Sequence, residues 1–311
     1  MKRQLTAQIL LIHIVSLLSF GATARTPHMA LQASTPVKSH QQQITEWQKD
    51  RHEYLKKEDG WLSLTGLFWL TSGMNGIGSE SDNKVILPKD KAVDYLGSYL
   101  LNDGKITANF PPNSQVFEDG KAVLRQTIET DHQQKATILN HGSLSWYVIE
   151  REGRFGVRVR DSQLPQQKSL ATLGYFDINP AWIIDATFTP YKEDKQLQVP
   201  TVMDWYWQAS SPGQVTFSKD GQQHQLDIID SGDVYFIIFG DKTNGGQTYG
   251  AGRFLYIDKP KAGQSLTELT IDFNMAHNPP CVFTPFATCP LPPPQNKLAL
   301  DVTAGEKNFH L

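Results

Sequence analysis

Beyond its first two dozen residues the chain has no apolar stretch long enough to cross a membrane, no basic run longer than Lys56-Lys57, and only two cysteines. The first absence leaves the mature chain without a membrane span. The second, with a slightly negative net charge, sets aside counterion-release binding to nucleic acid, which needs a clustered basic surface. No cysteine follows the N-terminal apolar run, so lipid attachment there is not expected. The stock catalytic motifs are missing too: no G-x-S-x-G elbow, H-E-x-x-H helix or P-loop occurs. Gly250-Ala251-Gly252 lacks the third glycine of a dinucleotide fingerprint. Ser81-Asp82-Asn83-Lys84 compresses two motifs of penicillin-interacting enzymes into one polar loop, where coincidence explains them better. No internal repeat and no strand–helix–strand alternation is found, which disfavours a parallel doubly wound sheet. No motif calls for a cofactor, and none for a metal.

Residues 1–24 have the layout of a secretory signal. Lys2 and Arg3 supply the positive start, the apolar stretch runs from about Ile9 to Phe20, and Ala22-Thr23-Ala24 matches the cleavage pattern. Cleavage after Ala24 would release a periplasmic or secreted protein. Residues 25–41, rich in Gln, Ser, Thr and Pro, read as a flexible lead-in. From Gln42 to Asp59, Ile44, Trp47, Tyr54 and Leu55 fall on one face at helical spacing, and Gly60 ends the run. This predicts one amphipathic helix.

After Gly60 the chain reads as strands and turns. The apolar Trp61–Leu70 suits a buried strand or turn, and the Gly/Ser/Asn-rich 71–83 a loop. Strands are expected at 84–87, 98–101, 105–110, 122–129, 135–139, 143–150, 155–160, 182–189, 202–208, 214–218, 225–229, 234–239, 252–257 and 268–273. Asn140-His141-Gly142 and Lys219-Asp220-Gly221 supply hairpin turns. Strands recurring about every ten residues indicate a mainly β fold, an antiparallel sandwich or barrel-like body carrying one N-terminal helix. Residues 42–311 read as one domain, with a possible subdivision near 190–200.

Three segments concentrate polar residues. In the strand 155–160, Phe155, Val157 and Val159 alternate with Gly156, Arg158 and Arg160, so one face is apolar and the other carries two arginines. If that face looks into a pocket, Arg158 and Arg160, with Asp161 beside them, form a fork for a carboxylate or phosphate. The second segment is the glycine-rich turn 239–253, which gathers Asp241, Thr243, Thr248, Tyr249 and Arg253 at one end of two adjacent strands. The third is the proline-braced stretch 272–296, with Asn274, Asn278 and the cysteine pair. In an oxidising compartment Cys281 and Cys289 suit a disulfide. A zinc site with His277, or a Cys281 nucleophile with His277 as base, needs free thiols instead.

Gly60-Trp61-Leu62-Ser63-Leu64, Arg158-Val159-Arg160-Asp161, the run Thr248–Leu255, Asp272-Phe273-Asn274, Asn278-Pro279-Pro280-Cys281, Cys289–Pro294, Asn296 and Ala304-Gly305-Glu306 together resemble a bacterial family of uncharacterised proteins, domain of unknown function 1684. The resemblance runs from about Trp47 to the C-terminus. His277 departs from it, standing where the family pattern has tyrosine. It implies a fold and a shared polar site, and no activity.

Three readings stay open. In the first, a hydrolase or transferase acts on a small anionic or sugar-like envelope compound. Arg158, Arg160 and Arg253 bind the anion, Asp241 is the base, and Tyr249 or Glu306 is the acid. In the second, the same pocket binds a small ligand, anionic or neutral, without chemistry. In the third, these polar residues lock turns.

Overall fold

The computed structural model describes residues 38–164, 169–260 and 267–309. The signal-like segment 1–24 and residues 25–37 of the lead-in lie outside them. The expected helix is present as α1, His40–Leu55, starting two residues earlier than its apolar pattern suggests. Ser39 caps it with a full capping box: its hydroxyl accepts from the Gln42 N–H and Gln42 Oε1 accepts from the Ser39 N–H. No helix among the described residues is long and apolar enough to cross a membrane.

The rest of the fold is mainly antiparallel β-structure. The N-terminal half contributes β1 (Leu64–Trp69), β2 (Gly73–Gly78), β3 (Val85–Ile86), β4 (Gly97–Asn102), β5 (Lys105–Asn109), β6 (Phe117–Glu118), β7 (Lys121–Ala122), β8 (Arg125–Thr127), β9 (Leu139–His141), β10 (Leu144–Arg151) and β11 (Arg154–Asp161). The C-terminal half contributes β12 (Ile183–Pro200), β13 (Tyr206–Lys219), β14 (Gln222–Ser231), β15 (Val234–Phe239), β16 (Arg253–Asp258) and β17 (Glu268–Asp272). Two sheets form from the first set, in the orders β1-β11-β10-β9-β6-β7 and β3-β2-β4-β5-β8. They share a core of Ile77, Tyr99, Ile106, Trp146, Val148, Val157 and Val159, and the buried Trp146 indole donates to the Tyr99 hydroxyl at 2.5 Å. The second set forms one sheet, β16-β15-β14-β13-β12-β17, whose edge strands approach each other so that it nearly closes into a barrel. Its interior is filled by Ile184, Val215, Leu226, Ile237, Leu255, Ile271 and Phe273, with Leu298, Val302 and Ala304 from the C-terminal segment.

Several strand bounds differ from the sequence expectation. The polar 71–83 segment contains β2, a strand built with glycine because its neighbours pass close: a Cβ on Gly78 would lie 2.2 Å from the Asp94 carbonyl. The stretch 122–129 is broken, β7 and β8 going to different sheets. Of 135–139 only Leu139 is strand, and Asn140 and His141 extend β9 instead of turning. The turn falls one residue later, with Gly142 at φ 58°. Of the expected strand 202–208 only Tyr206 onward is strand, 202–205 forming a turn; 206–208 and 214–218 belong to one long strand, β13, despite Pro212. β12 likewise runs through 190–200 with a bulge between Pro190 and Lys195. The hairpin at Asp220-Gly221 forms as read, both residues at positive φ (51° and 74°).

Candidate functional site

Alternation along β11 sends Val157 and Val159 into the N-terminal core and turns Arg158 the other way. Alternation along β15 and β16 sends Ile237 and Leu255 into the barrel and turns Phe236, Phe254 and Tyr256 outward. Between these two faces lies a cavity of about 820 Å³. Helix α1 contributes Arg51 and Tyr54, β13 contributes Trp207, and the proline-rich loop contributes Asn278, Thr288 and Cys289. Its walls are strongly aromatic, with Trp61 and Trp205 completing them.

The charges around this space are unequally compensated. Arg51 Nε lies 2.9 Å from Glu306 Oε1, and its guanidinium also donates to the Asn278 carbonyl at 2.9 Å. Arg151 pairs with Asp131 at 2.7 Å. Glu152, also lining the cavity, is exposed in the β10–β11 turn. Arg158 differs from the other two arginines. It is only 3% exposed, its Nε has no partner, and its remaining nitrogens reach only the Tyr147 hydroxyl at 3.3 Å and the Thr288 hydroxyl at 3.4 Å. The Trp61 and Tyr147 rings lie 5.7 and 6.0 Å from it. Arg160 shares Tyr147, with its guanidinium 4.8 Å from the ring centre and 3.4 Å from the hydroxyl. Among the described residues neither arginine has a carboxylate partner.

His277 closes one wall. Its main chain bridges to Phe254 through two 2.9 Å hydrogen bonds. The ring stacks on Tyr256 with centroids 5.7 Å apart, and Nδ1 lies 3.0 Å from the Met275 carbonyl. Burial, reinforced by the nearby Arg51 charge, pushes its pKa down to about 3, so the ring is neutral near pH 7.

The other residues singled out in the sequence lie elsewhere. Asp241 accepts from Arg253 at 2.9 Å, from the Thr243 N–H at 2.8 Å and from the Thr243 hydroxyl at 2.5 Å; the Thr243 and Thr248 hydroxyls meet at 2.7 Å. Arg253, fully buried, also donates to the Ala304 and Val302 carbonyls at 2.5 and 2.8 Å. This network ties the C-terminal segment to the barrel. Asn274 bonds Asp272 and both main-chain groups of Asn179. Asp161 is held by Lys91 at 2.5 Å. None of these residues, and not Tyr249, lines the large cavity. Glu306 sits behind its wall on Arg51 and the Asn278 N–H, and Asn278 is part of that wall. The Cys281 and Cys289 sulfurs are bonded at 2.20 Å, and a bonded sulfur is no thiolate, so Cys281 in this form is neither nucleophile nor zinc ligand. Among the described residues no group of His, Cys, Asp and Glu side chains is arranged to hold a metal ion.

Sequence reasoning missed Arg51, Tyr54, Trp61, Tyr147, Trp205 and Trp207 as site residues. One signal was available: in the strand expected at 202–208, Trp205 and Trp207 stand two positions apart, the spacing that puts two large aromatic side chains on one face.

No curated protein matches the chain. Among solved structures it is similar to an uncharacterized protein of Haloarcula marismortui determined by solution NMR. The identity is 33% over 43% of this chain and 75% of that one, with a TM-score of 0.37. The family model described as a protein of unknown function (DUF1684) matches residues 168–307, and through that segment the chain belongs to this family.

Proposed function

We propose that the cavity between β11 and the outer face of the barrel binds a small organic anion, with a carboxylate or phosphate on Arg158 and an apolar body among the tryptophans. The observation that carries this reading is Arg158 itself. A guanidinium withdrawn from water without a counter-charge costs free energy, and two long hydrogen bonds to neutral hydroxyls do not offset it. An incoming anion supplies the missing charge and takes paired N–H donors in the planar geometry arginine offers. Of the arginines that line the cavity, Arg51 and Arg151 are already paired, so the demand there falls on Arg158. A volume of about 820 Å³ falls within the usual range for small-ligand sites.

The hydrolase or transferase reading has less support. Its candidate base, Asp241, is bound to Arg253 and lies outside the cavity lining. The leader-like 1–24 segment and the disulfide both suit a periplasmic or secreted protein. The mass of protein recovered from cells, matching cleavage after Ala24, tests that location.

The binding test is a thermal-shift titration with phenylacetate and phenyl phosphate. At a hundred times Kd a ligand adds about 2.7 kcal/mol, roughly 5 °C for a protein of this size. The shift should saturate in the wild type and vanish in Arg158→Met. No saturable shift with either anion, or the same shift in the variant, removes the proposal.

A further inference from the structure

We propose that His277 makes this cavity selective for organic anions that also carry a hydroxyl or N–H, which donates to His277 Nε2. The inference rests on the anion-binding reading above and names the ligand's second point of contact.

The geometry leaves Nε2 one role. A carbonyl only accepts, so the 3.0 Å contact with Met275 puts the ring proton on Nδ1. In the neutral ring Nε2 is then a bare lone pair. The ring cannot turn away: two main-chain bonds fix its backbone to Phe254, Tyr256 lies against one face with planes 20° apart, and Trp47 stands 6.0 Å away. Nε2 has no hydrogen-bond partner among the described residues, yet it is not one of the sealed-off polar atoms, and the open space beside the ring is the cavity. In the free protein water satisfies it. In a complex a ligand hydroxyl or N–H does so, and a ligand without one displaces that water and leaves the lone pair unpaired.

The same arrangement argues against general-base catalysis at this ring. A group held far below its ordinary pKa accepts a hydrogen bond but removes a proton poorly near neutrality, where a base should titrate close to the working pH. His277 therefore discriminates and does not react.

Matched ligands test this by calorimetry: phenylacetate against mandelate, 4-hydroxyphenylacetate and N-acetylphenylglycine, which keep a ring and a carboxylate and add a donor at different positions. At least one donor-bearing compound should bind roughly ten- to a hundredfold more tightly than phenylacetate. That preference should disappear in His277→Phe, where phenylacetate no longer strands a lone pair and binds more tightly than to the wild type, and return in part in His277→Gln, which restores an acceptor. Nitrogen NMR of the imidazole from pH 5 to 8 should show the Nδ1–H tautomer throughout. Binding that needs Arg158 but ignores the added donor, a preference that survives in His277→Phe, or an Nε2–H or doubly protonated ring at pH 6 overturns the proposal. A preference that needs His277 but not Arg158 upholds His277 and removes the anion reading instead. No binding by any of the four removes both.

Discussion

Among the described residues two arginines are buried, and removing them should have very different consequences. Arg253 is fully buried and its charge is matched: Asp241 lies 2.9 Å away, also fully enclosed, and the carbonyls of Val302 and Ala304 take further donors. In Arg253→Met the methionine fills part of the space, but Asp241 keeps a buried charge with only hydroxyl and amide donors around it. Stranding one member of a buried pair costs about 3–5 kcal/mol. At about 2–4 °C per kcal/mol, the melting temperature falls by roughly 10 °C. Arg158 is almost as deeply buried but strands nothing, because Tyr147 and Thr288 are neutral and make only weak contacts to it. Arg158→Met removes an uncompensated charge and loses some packing against Trp61 and Tyr147, two effects of opposite sign. The net change is within about 1 kcal/mol of zero. Urea unfolding followed by circular dichroism on ligand-free protein measures both. Equal losses in the two variants would mean that the Arg158 charge is compensated in the free protein, and the argument for an incoming anion would fall.

Three further outcomes follow from the same contacts. Replacing both cysteines with serine opens a link spanning eight positions and should cost about 2–3 kcal/mol, read from the urea midpoint against the wild type. Gly305 sits at φ 78°, where a Cβ would lie 2.2 Å from the Ala276 carbonyl, so Gly305→Ala should lose at least about 2 kcal/mol of unfolding free energy. His277 titrates near 3 when folded and near 6.5 when unfolded; between these values the unfolded chain holds the extra proton, so stability is full above about pH 6.5 and falls as pH drops towards 3. The limiting slope of this contribution is about 1.4 kcal/mol per pH unit, and His277→Gln should flatten the profile between pH 5 and 6.5, before the carboxylates titrate. An unchanged profile refutes the burial argument.

Where the residues of one strand or one turn carry the information, the sequence was readable. The two-residue period marked β11. Asp220-Gly221 marked its hairpin through the positive φ both residues adopt, and the helix showed its apolar face. Reading failed where a neighbour decides. Gly76 and Gly78 look like loop residues until Asn83, Asp94 and Tyr95 are seen passing within contact of them, and prolines at 190 and 212 look like breaks until the bulge that absorbs them is seen. The candidate site divided on the same line. Arg158 was visible as the polar side of an alternating strand, whereas its gathering with Arg51, Trp61 and Trp207 was not.

The sequence by itself thus determined a mainly β protein with one amphipathic helix, a close pair of cysteines suited to a disulfide, and a strand with two arginines on one face. Tertiary structure alone decided which arginine is satisfied and which is not. Arg253 and Arg158 read alike as residues on strands beside glycine-rich or polar turns. They differ because the first meets Asp241 and the C-terminal carbonyls, while the second meets only hydroxyls and aromatic rings, one of those hydroxyls 130 positions away at Thr288. The state of a buried charge depends on what faces it across the core, and that partner is chosen by the packing of distant segments.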